Sequence, residues 1–259
     1  MTNILPKISF ITACKGRLHH LAETLPKNII WNAEYPNIEF VLLDYNSPDG
    51  LETWVKNHMS AMIEKGLLLY FKNPEPQYFH YTHSHNMLLK LATGDIVCNL
   101  DADNYSGADF AFYIAERMNQ VDYLIANRCS EVDGYFNPLA SECFGRIAVK
   151  KELILHAGGY LESLESWGAE DRDLYNRLHK LGYKGGYILS NFLRCISHSN
   201  QERGMFLKDK NAGYLSESHN QNMLKCRENI EKGKLIVNDN CFGKGVVYKN
   251  FSKEPMVVL

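Results

Sequence analysis

Two acidic clusters in this 259-residue chain have the residue types and spacing to do chemistry. The first is Asp101-Ala102-Asp103, directly after the apolar run Ile96–Leu100. Carboxylates at i and i+2 just past a buried strand can surround one divalent cation. Hard cations such as Mg²⁺ or Mn²⁺ take oxygen ligands and bridge diphosphate oxygens. The same residues also suit a strand-ending turn. The second cluster is Trp167-Gly168-Ala169-Glu170-Asp171-Arg172-Asp173-Leu174. Three acids in four residues open a helix that runs on through Leu178 and Leu181. Acids there complement the positive end of the helix dipole, which alone would explain them. It does not explain the Trp-Gly pair immediately upstream. Trp offers an apolar platform to a sugar face, Gly permits close backbone approach, and a carboxylate beside them can accept a hydroxyl proton.

Other polar residues are ambiguous. His80, His83 and His85 crowd one segment, but zinc needs three or four converging ligands, usually with Cys or acid partners. A polar lining for a site ahead of the Met87 helix is the better reading. Lys208 and Lys210 suit either a closing loop that neutralises a diphosphate or a solvated surface. Gly158-Gly159 reads as the turn that aims the Trp167 segment.

These residues must be held by a framework, and the first half of the chain supplies one. Ile8–Ala13, Ile38–Leu43, Leu67–Phe71 and Ile96–Leu100 read as buried strands. Helical spacing separates them, at Leu18/Leu21/Leu25/Ile29 (disturbed at Pro26), across Leu51–Met62, and in a helix ending at Met87–Ala92. Such alternation predicts an α/β fold with a mainly parallel central sheet flanked by helices. Ligands then bind at the carboxyl ends of the strands, which points to Thr12–Arg17, Asp44–Ser47 and Asp101–Asn104. Phe144–Val149 reads as a further strand, Asp171–Leu181 as a helix and Ile188–Ile196 as partly extended. After about Asn200 a polar loop, a helix around Glu217–Glu231 and a short strand or coil from Lys234 follow. The expected division is a catalytic domain over 1–200, with halves meeting near 104–105, and a loop-and-helix tail over 201–259.

Composition narrows the function. A net charge of −2 gives no basic field for nucleic acid. Seven cysteines, odd in number and without a CxxC pair, argue against a disulfide framework or a zinc site and for a reducing compartment. The first apolar run, Ile8–Cys14, is too short for a signal core or a membrane span, so a cytoplasmic protein is expected, with peripheral membrane contact still open.

Taken in order, the strand-1 loop, Asp44, SHNMLLKLATGDIVCNLDADN, GGYLESLESWGAEDRDLYNRL and HSN resemble GT-A glycosyltransferases of the family 2 kind. The WGxEDxDL segment resembles that of the β-1,4-galactosyltransferases and polypeptide N-acetylgalactosaminyltransferases. The resemblance covers Ile8 to about Asn200. It implies a UDP-sugar donor, Mn²⁺ or Mg²⁺, and transfer to a hydroxyl of a glycan, lipid-linked or other acceptor in glycan or polysaccharide biosynthesis. Asp103 would be the principal metal ligand, with Asp101 on the donor ribose or metal waters and His198 a third ligand. Thr12, Arg17 and Asp44 would hold base and ribose. Asn86 falls where such enzymes have an Arg-Asn pair, here with His85 in place of the Arg. Asp171 would be the general base, Glu170 an acceptor-side acid, and Trp167 would line a sugar. A sugar nucleotidyltransferase and a non-catalytic sugar-binding relative are the alternatives.

Overall fold

The computed structural model describes residues 5–126, 129–132, 135–138, 143–208 and 214–259. In chain order the strands are β1 (Ile8–Cys14), β2 (Ile38–Asp44), β3 (Leu68–Lys72), β4 (Ile96–Asn99), β5 (Asn104–Tyr105), β6 (Tyr123–Ile125), β7 (Cys129–Val132), β8 (Tyr135–Pro138), β9 (Ile147–Lys150), β10 (Gly185–Tyr187), β11 (Arg194–Cys195), β12 (Gly245–Lys249) and β13 (Pro255–Val258). The helices are α1 (Leu18–Asn32), α2 (Leu51–His58), α3 (Ser60–Glu64), α4 (Tyr81–Leu91), α5 (Phe110–Arg117), α6 (Lys151–His156), α7 (Glu170–Lys180), α8 (Asn200–Gly204) and α9 (Tyr214–Glu231).

Nine strands form one sheet in the order β10-β6-β9-β4-β1-β2-β3-β12-β13. Its centre, β4-β1-β2-β3, is parallel, and every residue of β1 and β2 is buried. That is why these strands read as unbroken apolar runs rather than alternating ones. Antiparallel strands flank the centre: β9 beside β4, and β12 beside β3. One apolar layer packs α1, α2 and α5 on one face, and a second packs α4, α6 and α7 on the other.

Three expectations are corrected. Leu51–Met62 is two helices, because Met59 leaves helical geometry (φ −117°, ψ 1°) between α2 and α3. The strand expected from Phe144 begins at Ile147, since Phe144 and Gly145 sit in a turn. The extended reading of Ile188–Ile196 is interrupted by a 3₁₀ turn at Ser190–Phe192, leaving the two-residue β11. Residues 201–259 contain α9 and also β12 and β13, which carry the main sheet beyond β3. No helix among the described residues is long and apolar enough to cross a membrane.

Candidate functional site

A polar stripe on α1 sets the Asp101–Asp103 loop. Thr24, Asn28 and Asn32 recur every four residues and so share one helix face. The Thr24 hydroxyl donates to the Ala102 carbonyl (2.7 Å), and the Asn28 amide donates to the Asn104 carbonyl (2.8 Å). Asn28 also accepts from the Ser106 N–H, and Asn32 from the Ala111 N–H, both at 2.8 Å. All three side chains are buried. The loop after β4 is therefore bolted to α1 through groups that would be costly to leave unpaired.

The short strand β11 brings the third predicted ligand in. It pairs antiparallel with β5, and the Ile196 N–H donates to the Asp103 carbonyl at 2.8 Å. His198 Nε2 then lies 3.3 Å from Asp103 Oδ2. Burial pushes the Asp103 carboxyl up, but hydrogen bonding and charge from His198 outweigh it and leave the group below its usual range. Asp101 points elsewhere. Its Oδ1 accepts from the Asn99 amide (3.2 Å) and lies 3.7 Å from His85 Nε2. Of the three expected ligands the structure brings Asp103 and His198 together and turns Asp101 away from them. Among the described residues these three do not converge as one group of ligand atoms.

Asp101 instead faces Asp171. A side-chain carbon at Gly145 would sit 3.3 Å from Asp101 Oδ2 and 3.2 Å from Asp171 Oδ2. Gly145 keeps the gap between those carboxylates open. Asp171 is set at the first turn of α7, which starts from left-handed backbone at Gly168 and Ala169 (φ 97° and 75°). Burial, then the charges of Glu170 and Asp101, hold the Asp171 carboxyl well above the usual carboxylate range; a hydrogen bond from Tyr81 acts the other way. That bond is long, 3.4 Å from the Tyr81 hydroxyl, which itself accepts from the Asn99 amide at 2.9 Å. His85, buried and stacked on Tyr81, lies 3.0 Å from the Asn99 side-chain oxygen. Glu170 is buried beside Asp171, and its carboxyl too is raised by burial. The third acid differs: Asp173 pairs with Arg177 at 2.7 Å, and Arg177 ties the Ala157 and Gly159 carbonyls of the Gly158-Gly159 turn to α7.

The two acidic clusters meet in one cleft of about 830 Å³. Arg17, Asp101, Asp103, Trp167, Glu170, Asp171 and His198 all reach it. α8 covers part of its mouth. Glu202 accepts from Arg17 at 2.5 Å and lies 2.9 Å from His19. The Phe206 ring fills the space beside Gly16, where an added Cβ would meet it at 1.7 Å. Arg203 stacks over Trp167 at 5.2 Å, and His219 of α9 packs against Gly168.

Three predicted binding residues do not reach the cleft. Thr12 is buried and donates to the Leu100 carbonyl (2.7 Å), tying β1 to β4. Asp44 is buried with both oxygens engaged, by the Ser47 N–H and by the Tyr70 hydroxyl, each at 2.7 Å. Asn86 is fully buried and exchanges hydrogen bonds with the Tyr160 backbone (2.8 Å each way), fixing α4 to the 158–162 turn. In this structure all three side chains are engaged by framework partners. Lys15, in the strand-1 loop, is buried with its ammonium on the carbonyls of Tyr45, Asn46 and Pro76. His80 and His83 likewise have separate partners, the Leu164 carbonyl and Tyr45 with Lys244. Lys208 is exposed and off the cleft, and Lys210 lies outside the described residues. Sequence reasoning missed Asn99, Gly145 and Glu202, while Tyr81 lies in the segment ahead of the Met87 helix that was expected to line the site. Of the three, Asn99 left a signal, standing two residues before Asp101 at the end of a buried strand.

Comparison with known proteins agrees with this fold. The model described as glycosyl transferase family 2 matches residues 9–156, and that described as N-terminal domain of galactosyltransferase matches 129–199. No curated protein matches. Among solved structures, a mannosyltransferase from Pyrobaculum calidifontis, in complex with GDP-Man and Mn²⁺, superposes with a TM-score of 0.59 at 20% identity over 79% of this chain. Residues 1–349 of S. aureus TarS give 0.55 at 16% identity over 97% of this chain and 98% of that one. GalNAc-T7 with UDP, GalNAc and Mn²⁺ gives 0.57 at 15% identity over 78% of this chain. This chain spans 62% of the mannosyltransferase and 47% of GalNAc-T7. These likenesses show the GT-A fold.

Proposed function

The chain belongs to glycosyl transferase family 2, and from that premise we propose that it transfers a sugar from a UDP-sugar to an acceptor hydroxyl with a divalent cation. The observation that carries this reading is the pair of carboxylates, Asp101 and Asp171, facing one gap at Gly145 in the cleft that holds Asp103 and His198. Mn²⁺ and nucleotides in the solved relatives support it.

Asp103 and His198 fit a cation. They offer oxygen and nitrogen 3.3 Å apart on the cleft wall, and the imidazole tilts the set towards Mn²⁺ over Mg²⁺. When bound, the cation supplies positive charge against the diphosphate. The remaining work falls to side chains. Asp171 accepts the acceptor hydroxyl proton, and the freed oxygen bonds to the anomeric carbon. The bond from that carbon to the diphosphate oxygen breaks, with its electron pair leaving on UDP. Raised above the usual range, the Asp171 carboxyl is a stronger base than a solvated one. Tyr81 and Asn99 orient it, Trp167 offers a sugar platform, and Glu170 stands on the acceptor side. α8 and Phe206 shield the mouth from water.

A nucleotidyltransferase is the weaker reading. The strand-1 loop carries a single glycine, and the ammonium of its Lys15 is already held by three backbone carbonyls. The test is product analysis with a panel of UDP-sugars, with Mn²⁺ and with chelator. Release of UDP that depends on acceptor and stops on chelation is the expected result. Release of pyrophosphate, or binding without turnover across the panel, would overturn it.

A further inference from the structure

Apart from Asp103 and His198, a second set of ligand atoms converges at the cleft mouth. His19 and His20 open α1, and Glu202 lies on α8. His19 Nε2 is 2.9 Å and His20 Nε2 3.5 Å from the same oxygen, Glu202 Oε1. The three ligand atoms lie within 4.8 Å of one another, and among the described residues no other three His, Cys, Asp or Glu side chains do so. Tetrahedral Zn²⁺ with bonds of about 2.0–2.1 Å holds its ligand atoms roughly 3.3 Å apart. The two observed separations fall either side of that figure, so small side-chain rotations suffice. We propose that His19, His20 and Glu202 form a second metal site, selective for Zn²⁺-like borderline cations, that fastens α8 to the start of α1.

The chemistry differs from that at Asp103. Two imidazoles and one carboxylate suit Zn²⁺, whereas Mg²⁺ prefers an all-oxygen shell. His20 is buried on the cleft side, and its other ring nitrogen, Nδ1, is buried without a hydrogen-bond partner. Metal ligation at Nε2 leaves the ring proton on Nδ1. His19 is 59% exposed, which gives an entry path. Arg17 competes for the site, since its guanidinium sits 2.5 Å from Glu202 Oε1. Arginine and cation compete for the charge of that carboxylate, so occupancy of the site weakens the hold on Arg17, which lines the cleft. The proposal concerns cation binding and stands whether or not sugar transfer is the activity.

The test is equilibrium dialysis of the full chain against ⁶⁵Zn²⁺ with Mg²⁺ in large excess. Wild type should bind Zn²⁺ at this site, His19→Ala and Glu202→Gln should weaken it by roughly tenfold or more, and Asp103→Asn should retain it. Arg17→Gln should bind more tightly than wild type, an outcome that misfolding cannot imitate. Because His19 is exposed, His19→Ala should melt as wild type does. Equal Zn²⁺ binding by wild type, His19→Ala and Glu202→Gln would overturn the proposal, as would loss of binding in Asp103→Asn alone.

Discussion

The end of β2 and the start of α7 look alike and behave oppositely. Each presents an aspartate on the strand-end side of the sheet, Asp44 and Asp171, and burial raises both carboxyls. Asp44 has an N–H and a hydroxyl donated to it at 2.7 Å. Asp171 has the 3.4 Å bond from Tyr81 and open space towards Asp101. Acidity and burial therefore do not separate a saturated carboxylate from an available one. What separates them is how many of its lone pairs are already taken.

The largest expected effect breaks the comparison at Asp171. Asp171→Asn should retain UDP affinity by calorimetry and lose transfer by roughly 10²–10⁴-fold; near wild-type turnover would move the base elsewhere, with Glu170→Gln as the comparison. Next is Gly145→Ala. Its methyl would intrude between the two carboxylates, so kcat should fall by about 10–100-fold with little change in melting temperature, and an unchanged kcat would mean the gap is not used. On the framework side, Asp44→Ala leaves the Tyr70 hydroxyl and the Ser47 N–H without their acceptor. It should cost about 1–3 kcal/mol in denaturant unfolding while UDP affinity stays as in wild type; a selective loss of UDP binding would return Asp44 to the site.

The smallest effect concerns stability against pH. Because folding raises the Asp171 pKa, the protonated carboxyl is the form the fold favours. The contribution is fully present below the unfolded value of about 3.9 and is lost as pH rises through the raised folded value. Above that range Asp171→Asn should be more stable than wild type, by about 2–4 °C in Tm for each kcal/mol relieved, and the difference should vanish at acid pH. Asp44→Ala should be less stable than wild type at neutral pH. Melting curves for both variants from pH 4 to 8 check the contrast.

Much of the framework was legible in sequence because its signals are local. β1, β2 and β4 are doubly buried and read as apolar runs, and α1 shows its spacing despite Pro26. The acids at 101, 103, 170 and 171 were legible through their position after a strand or before a helix. Thr12, Asp44 and Asn86 were expected at the cleft and turn to internal partners instead, for a common reason. A polar residue beside a predicted mouth gives no sign of whether it points into the cleft or back onto backbone, and that depends on partners 26 to 88 positions away, such as Tyr70, Tyr160 and Leu100. Glu202 was missed because its neighbours are polar and its partners lie 183 and 185 positions away, at the start of α1 and in the strand-1 loop before it.

The pairing of β12 with β3 has a consequence for how the protein is made. Phe71 and Lys72 find their outer neighbours only in Lys249 and Tyr248. While the ribosome works through the intervening chain, at about 5–20 residues per second, the outer edge of β3 waits on the order of ten to thirty seconds for its cover. During that interval Leu68–Lys72 is an apolar strand with open hydrogen-bonding groups, the kind of surface that recruits strands from other nascent chains. Yield of soluble protein should therefore depend on translation speed and on chaperone supply in the later part of the message, even for variants whose finished fold is as stable as the wild type.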